Sequence, residues 1–194
     1  MHRKRMRIWV ILLIVLGLVS GGTVTLISAL RGTTVDTPIS LLPGVTLTPE
    51  DLKAAGLGSA VDVRYADKTF VFFPDAQGNE QAQVKAGLTM DFRSGSVTFL
   101  GGQFSPASIP TVRDEAYAWY KNKVESTGLT DDKGSAIIGD ASARFTDPAA
   151  AALIVRKNAT VFTLLYTLNT PTASGAPEPV VALDALARLL AARF

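Results

Sequence analysis

A chain of 194 residues, 47% hydrophobic and 19% charged, has the size and balance of one ordinary domain with room for an appendage. It has no cysteine and a single histidine, His2, which excludes a disulfide-stapled scaffold, a thiolate metal site, a cysteine nucleophile and most histidine-dependent catalysis. The net charge of +2 is uneven: residues 1–31 hold Arg3, Lys4, Arg5, Arg7 and Arg31 and no acid, so the rest carries 14 Lys/Arg against all 17 Asp/Glu and offers no electrostatic case for nucleic acid.

Residues 1–7 form a basic tail, and residues 8–30 are 23 residues without a charge. At about 1.5 Å per residue a helix over 8–30 would cross a hydrocarbon core of roughly 30 Å. Four cations precede the run and one follows it, which the positive-inside rule reads as a cytoplasmic N-terminus and an extracytoplasmic remainder. The expectation is therefore an uncleaved signal anchor: a single transmembrane helix in the plasma (inner) membrane, with the lipid bilayer and other membrane-protein subunits as partners. A cleaved signal peptide is the competing reading, with small-residue cleavage candidates at 19–21 and 27–29. Gly17, Gly21, Thr25 and Ala29 recur every four residues and so form a small-residue stripe suited to helix packing.

Residues 31–46, with two prolines and no sustained period, read as a linker whose apolar Ile39, Leu41 and Leu42 could still dock on the domain over 47–194 or lie in the membrane interface. That domain opens with Thr48-Pro49-Glu50-Asp51, a helix start with a Thr cap, Pro at the first helical position and an acid three residues after the cap. Residues 61–65 and 69–73 alternate as two strands of a hairpin, the second buried on both faces by Phe70, Phe72, Val71 and Phe73. Residues 84–92 alternate strictly, and a two-residue turn at Ser94-Gly95 pairs Phe92 with Val97 and Met90 with Phe99, with Gly101-Gly102 closing the second strand. Residues 109–126 form a helix started by a capping box of Thr111 and Asp114, with Val112, Ala116, Trp119 and Tyr120 on one face. After a loop at 131–134, short strands are expected around Ile137, Phe145 and Leu153 to Arg156, then a turn at Lys157-Asn158 and a strand over 160–168. A proline-rich loop at 170–179 precedes a last helix with Leu183, Leu186, Ala187, Leu190 and Phe194 as its stripe.

Hairpins with helices before, between and after them define an α+β domain, a mainly antiparallel sheet covered by helices. Ile138-Gly139-Asp140-Ala141, then the strand over 152–158, the strand over 160–168 and a closing helix ending Ala-Arg-Leu-Leu-Ala-Ala-Arg-Phe resemble the C-terminal half of exported bacterial domains of PsbP-like fold. The resemblance implies an α/β/α sandwich and an anchored, non-catalytic accessory or binding role in a larger membrane complex, photosynthetic or respiratory. It carries over no functional residue and implies no cofactor.

The chemistry agrees by its absences. No histidine lies beyond position 2, no phosphate-cradling glycine motif is present, and no carboxylate pair stands out among the acids. Asp131, Asp132 and Asp140 lack EF-hand spacing and read as a solvated loop, and Asp75, Gln77, Asn79 and Glu80 read as a hairpin turn. Asn158-Ala159-Thr160, formally a glycosylation acceptor, reads as the turn between two strands. Trp119 reads as core, whereas Tyr117 and Lys121, on the flank of the same helix, are the candidate partner contacts. The reading is a non-enzymatic accessory or binding subunit. The alternative is a carrier or sensor holding an apolar ligand near Phe70, Phe72 and Phe73, which ligand extraction would distinguish.

Overall fold

The computed structural model describes residues 34–67, 70–106, 111–169 and 178–194. One seven-stranded antiparallel sheet forms the centre, in the order β3-β4-β5-β9-β8-β7-β6. Its strands are β3 (Asp62–Tyr65), β4 (Val84–Asp91), β5 (Gly95–Gln103), β6 (Thr130–Asp131), β7 (Ala141–Asp147), β8 (Ala150–Lys157) and β9 (Thr160–Leu168). A separate small hairpin, β1 (Ile39–Ser40) with β2 (Thr46–Leu47), precedes it. The helices are α1 (Pro49–Ala54), α2 (Thr111–Glu125) and α3 (Pro179–Ala191). Two meanders, β3-β4-β5 and β6-β7-β8-β9, meet at the β5–β9 pairing, and α2 carries the chain from the middle of the sheet to its far edge.

Each face of the sheet has its own core. On one, Leu88, Met90, Val97, Phe99, Leu153, Phe162, Leu164 and Tyr166 pack under α1, α3 and the β1–β2 hairpin. On the other, Leu100, Phe145, Ile154 and Val161 pack under α2 and the loop carrying Phe70, Phe72 and Phe73. The alternation along β4, β5 and β9 that marks them as strands is therefore also what divides their side chains between two cores.

The transmembrane helix expected over 8–30 falls outside the described residues. Among the described residues no helix is long and apolar enough to cross a membrane. The longest, α2, has 15 residues; at about 1.5 Å each it reaches some 22 Å, short of a hydrocarbon core of roughly 30 Å. The membrane and signal-anchor expectation is accordingly corrected to an α+β domain without a described span. Residues 8–30, with Gly17, Gly21, Thr25 and Ala29, lie outside the described residues.

Four further expectations change. Residues 70–73 are not a strand: the Phe72 N–H donates to both carboxylate oxygens of Glu80 at 3.0 Å and Phe73 turns to φ +58°, so β3 pairs instead with β4. The β4–β5 turn is Arg93-Ser94, closed by the Phe92 N–H to the Gly95 carbonyl at 2.8 Å, and Met90 pairs with Val97 and Leu88 with Phe99. Gly101 and Gly102 lie inside β5, where the Phe99 and Phe72 rings occupy the places their side chains would take. Ile137 is 70% exposed outside any strand, and the strand before β7 is Thr130–Asp131, which overlaps the expected 131–134 loop at Asp131. The helix start at Thr48 forms as its residues suggest: the Thr48 Oγ1 accepts from the Asp51 N–H at 3.3 Å, and the Thr48 N–H donates to the Asp51 carboxylate at 2.8 Å. Residues 39–47 pack against the sheet, with Ile39, Leu41, Leu42, Val45 and Leu47 buried in the first core.

Candidate functional surface

Helix α2 is where the sequence-read contacts meet the structure. Its spacing puts Ala116 and Tyr120 in the second core and leaves two half-buried flanks beside an exposed crest of Glu115, Ala118 and Asn122. Tyr117 and Lys121 share one flank, as expected for residues four apart. Tyr117 lies against Arg156 of β8, whose guanidinium carbon is 5.9 Å from the ring centroid. Burial pushes the Tyr117 hydroxyl above its ordinary range, with Arg156 opposing and Asp131 adding to the shift. Arg156 is held in turn by Asp114 at 2.8 Å, and Asp114 also accepts from Arg113 at 3.0 Å. Asp114 thus anchors two arginines in the first turn of the helix, and residues 107–110, just before it, lie outside the described residues. Lys121 faces Glu125 one turn on, at 3.8 Å.

The second flank is aromatic. Trp119 is half-buried and meets Tyr120 edge-on at 4.7 Å and Phe73 at 6.0 Å. The Lys123 ammonium lies 4.4 Å from the Trp119 ring centroid, and burial lowers its pKa. Underneath, Phe72 stacks on Tyr120 at 4.8 Å and Phe104 lies 6.4 Å from Phe72. These rings fill the space between loop and helix with protein side chains. The Tyr120 hydroxyl, raised far above its ordinary value by burial, is hydrogen-bonded to the Phe73 backbone.

Phe73 is the least comfortable residue of this surface. A bulky side chain at φ +58° is a backbone outlier worth about 1–3 kcal/mol, and the following Pro74 narrows its choices further. A clamp holds it there: Lys85 bonds Glu80 at 2.6 Å and also the Phe70 carbonyl, while Glu80 takes the Phe72 N–H. Sequence alternation places Phe70 to Phe73 in a strand and Trp119 in the core, so this flank is not legible as a surface from the sequence. The pairing of Lys123 with Trp119 four positions earlier is the available signal.

The other oxygen-rich candidates are engaged in structure. Asp75 accepts from the N–H groups of Gln77 at 2.9 Å and Asn79 at 2.8 Å, closing the 74–80 turn. Asp132 pairs with Arg144 at 3.1 Å, and Asp140 accepts from the Asn158 N–H at 2.8 Å. Asn158 itself sits at φ +50° in the β8–β9 turn. Among the described residues no group of three or more His, Cys, Asp or Glu side chains is placed to hold a metal ion. Comparison with protein-family models, with curated proteins and with solved structures found no match.

Proposed function

We propose that this domain is a non-enzymatic binding module that seats a protein partner on the solvent side of α2, between the Trp119–Lys123 flank and the Tyr117–Lys121 flank. The observation that carries the reading is Phe73. Its strained backbone is kept in place by a dedicated Glu80–Lys85 clamp, and the result is a fixed edge-on seat for a half-exposed tryptophan. Strain maintained under a surface aromatic is characteristic of recognition sites, where Trp and Tyr dominate the energetics. A role of this kind is also the one implied by the PsbP-like resemblance of the C-terminal residues, which we propose extends from sequence to function.

The test uses the full chain isolated from its native source, with components that remain bound identified and quantified by mass spectrometry. One protein in near-stoichiometric amount is expected with the wild type. Replacing Trp119→Ala together with Lys123→Glu should lower its recovery at least about tenfold, as loss of a hot-spot aromatic does, while circular dichroism stays native. A chain that runs alone, or a partner whose recovery ignores both flanks, overturns the reading.

A further inference from the structure

The sheet ends on one side at β6, two residues long, and on the other at β3, Asp62–Tyr65. Short terminal strands are a protected way to end a sheet, and β6 fits that description. Strand β3 is longer, and two of the four large apolar side chains exposed among the described residues, Val61 at 39% and Tyr65 at 59%, stand at its two ends. Among the described residues, no strand pairs with its outer edge.

Pairing with β4 fixes which groups point outward. The Ala66 N–H donates to the Gly87 carbonyl at 2.7 Å. By the alternation of an antiparallel ladder, the backbone groups of Arg64 and Asp62 also face β4, leaving those of Val63 and Tyr65 facing out. Just before the strand, the Val61 N–H turns inward as well, to the Asp91 carbonyl at 2.8 Å. Among the described residues, the outward Val63 N–H donates to the side chain of its own neighbour, Asp62, at 2.9 Å.

The sequence of this edge is complementary to itself. Val61-Asp62-Val63-Arg64-Tyr65, turned antiparallel about Val63, places Asp62 of one copy opposite Arg64 of the other, twice, and Val61 opposite Tyr65, twice. Opposite charges and paired apolar side chains in directly facing positions are what stabilise an antiparallel pair. An isologous contact about a two-fold axis is also the commonest way identical chains associate. Within the chain Arg64 pairs with Asp91 at 2.7 Å and lies 3.6 Å from Asp62. Both Asp62 and Arg64 keep more than half of the side chain exposed, at 57% and 62%, so these solvent-facing contacts can be exchanged for the partner copy's.

We infer that β3 is a docking edge for a second copy of this chain, joining two sheets in register about Val63. On pairing, the Val63 N–H passes from the Asp62 carboxylate to the partner copy's Val63 carbonyl, and Asp62 is released to the partner copy's Arg64. A four-residue edge buries less than the roughly 1,000 Å² of a durable interface, so association is concentration-dependent.

Because the chain contains no cysteine, introduced thiols report this contact alone. Full-length Val61→Cys and Tyr65→Cys chains are mixed and treated with a thiol linker of about 8 Å. Facing residues in the proposed register stand about 5.5 Å apart, whereas position 61 of one copy and position 61 of the other, or the two copies of position 65, are separated by about 14 Å. The mixture should therefore give a covalent dimer at least tenfold above either chain alone. In that background Asp62→Arg or Arg64→Asp, each placing like charges opposite, should reduce the yield at least tenfold, and the double exchange Asp62→Arg with Arg64→Asp should restore it. Equal yields from single and mixed chains, insensitivity to the single reversals, failure of the double exchange to rescue, or linkage to a different protein would each overturn the inference. Circular dichroism separates loss of pairing from loss of fold.

Discussion

Asp51 is held by two helices at once. It completes the cap of α1 through Thr48, and it receives both terminal nitrogens of Arg193, just beyond α3, at 2.7 and 2.8 Å. Arg193 first, with the Thr48 hydrogen bonds assisting against partial desolvation, brings the Asp51 carboxyl from its ordinary 3.8 down to about 2. A carboxyl lowered in the folded state contributes stability that is present in full above about pH 4 and is lost as the pH falls through 2. Arg193→Met should therefore destabilise the domain at pH 7 by on the order of 1 kcal/mol, since Arg193 keeps one side open to solvent. It should also flatten the acid limb between pH 4 and pH 2, measured by urea denaturation across that range. An unchanged acid limb would show that the pair does not couple α1 to α3. The cap was legible in Thr48-Pro49-Glu50-Asp51 because it is local; Arg193, 142 residues away, was not.

Elements show the same division between local and distant causes. The alternation of β4, β5 and β9 and the 3.6-residue stripe of α3 identify those elements unaided. The β4–β5 turn shifts from Ser94-Gly95 to Arg93-Ser94 because Gly95 is needed in the strand, where any Cβ would collide with the Thr167 carbonyl of β9. The resulting change of register by two residues keeps every side chain on its expected face, which is why apolar still meets apolar. Residues 70–73 fail as a strand for a different reason: the alternation is real, but a carboxylate eight positions on captures the backbone. Glu80→Gln tests that cause. Losing the charged acceptor and its Lys85 pair should cost about 1.5–3 kcal/mol locally, so amide exchange over 70–82 should accelerate at least about tenfold while β8 and β9 stay protected. Unaltered protection over 70–82 would mean that ring packing alone holds the loop, and the strained Phe73 would lose its role as a maintained feature.

At the scale of the molecule, the α+β class was legible from the order of hairpins and helices, whereas the joining of two meanders at β5–β9 was not, because its pairing partners, from Gln103 with Thr160 to Gly95 with Leu168, are too far apart in the chain to leave a local signal. The same joint makes the two cores interdependent. Leu164 and Val161 of one strand face opposite cores, so neither face can come apart while the other keeps β9 in place. Leu186 of α3 is fully buried on the face away from Trp119. In a Trp9→Phe background, where Trp119 is the remaining tryptophan, Leu186→Ala should lower stability by about 2–5 kcal/mol. The loss should appear equally in Trp119 fluorescence and in far-ultraviolet circular dichroism, as one cooperative transition requires. A Trp119 transition that stays at its parental midpoint while the dichroism shifts would mean that the faces unfold separately. In that case the surface on α2 would be an independently stable unit, and the long-range pairing of β5 with β9 would not be what holds the two halves of the sheet together.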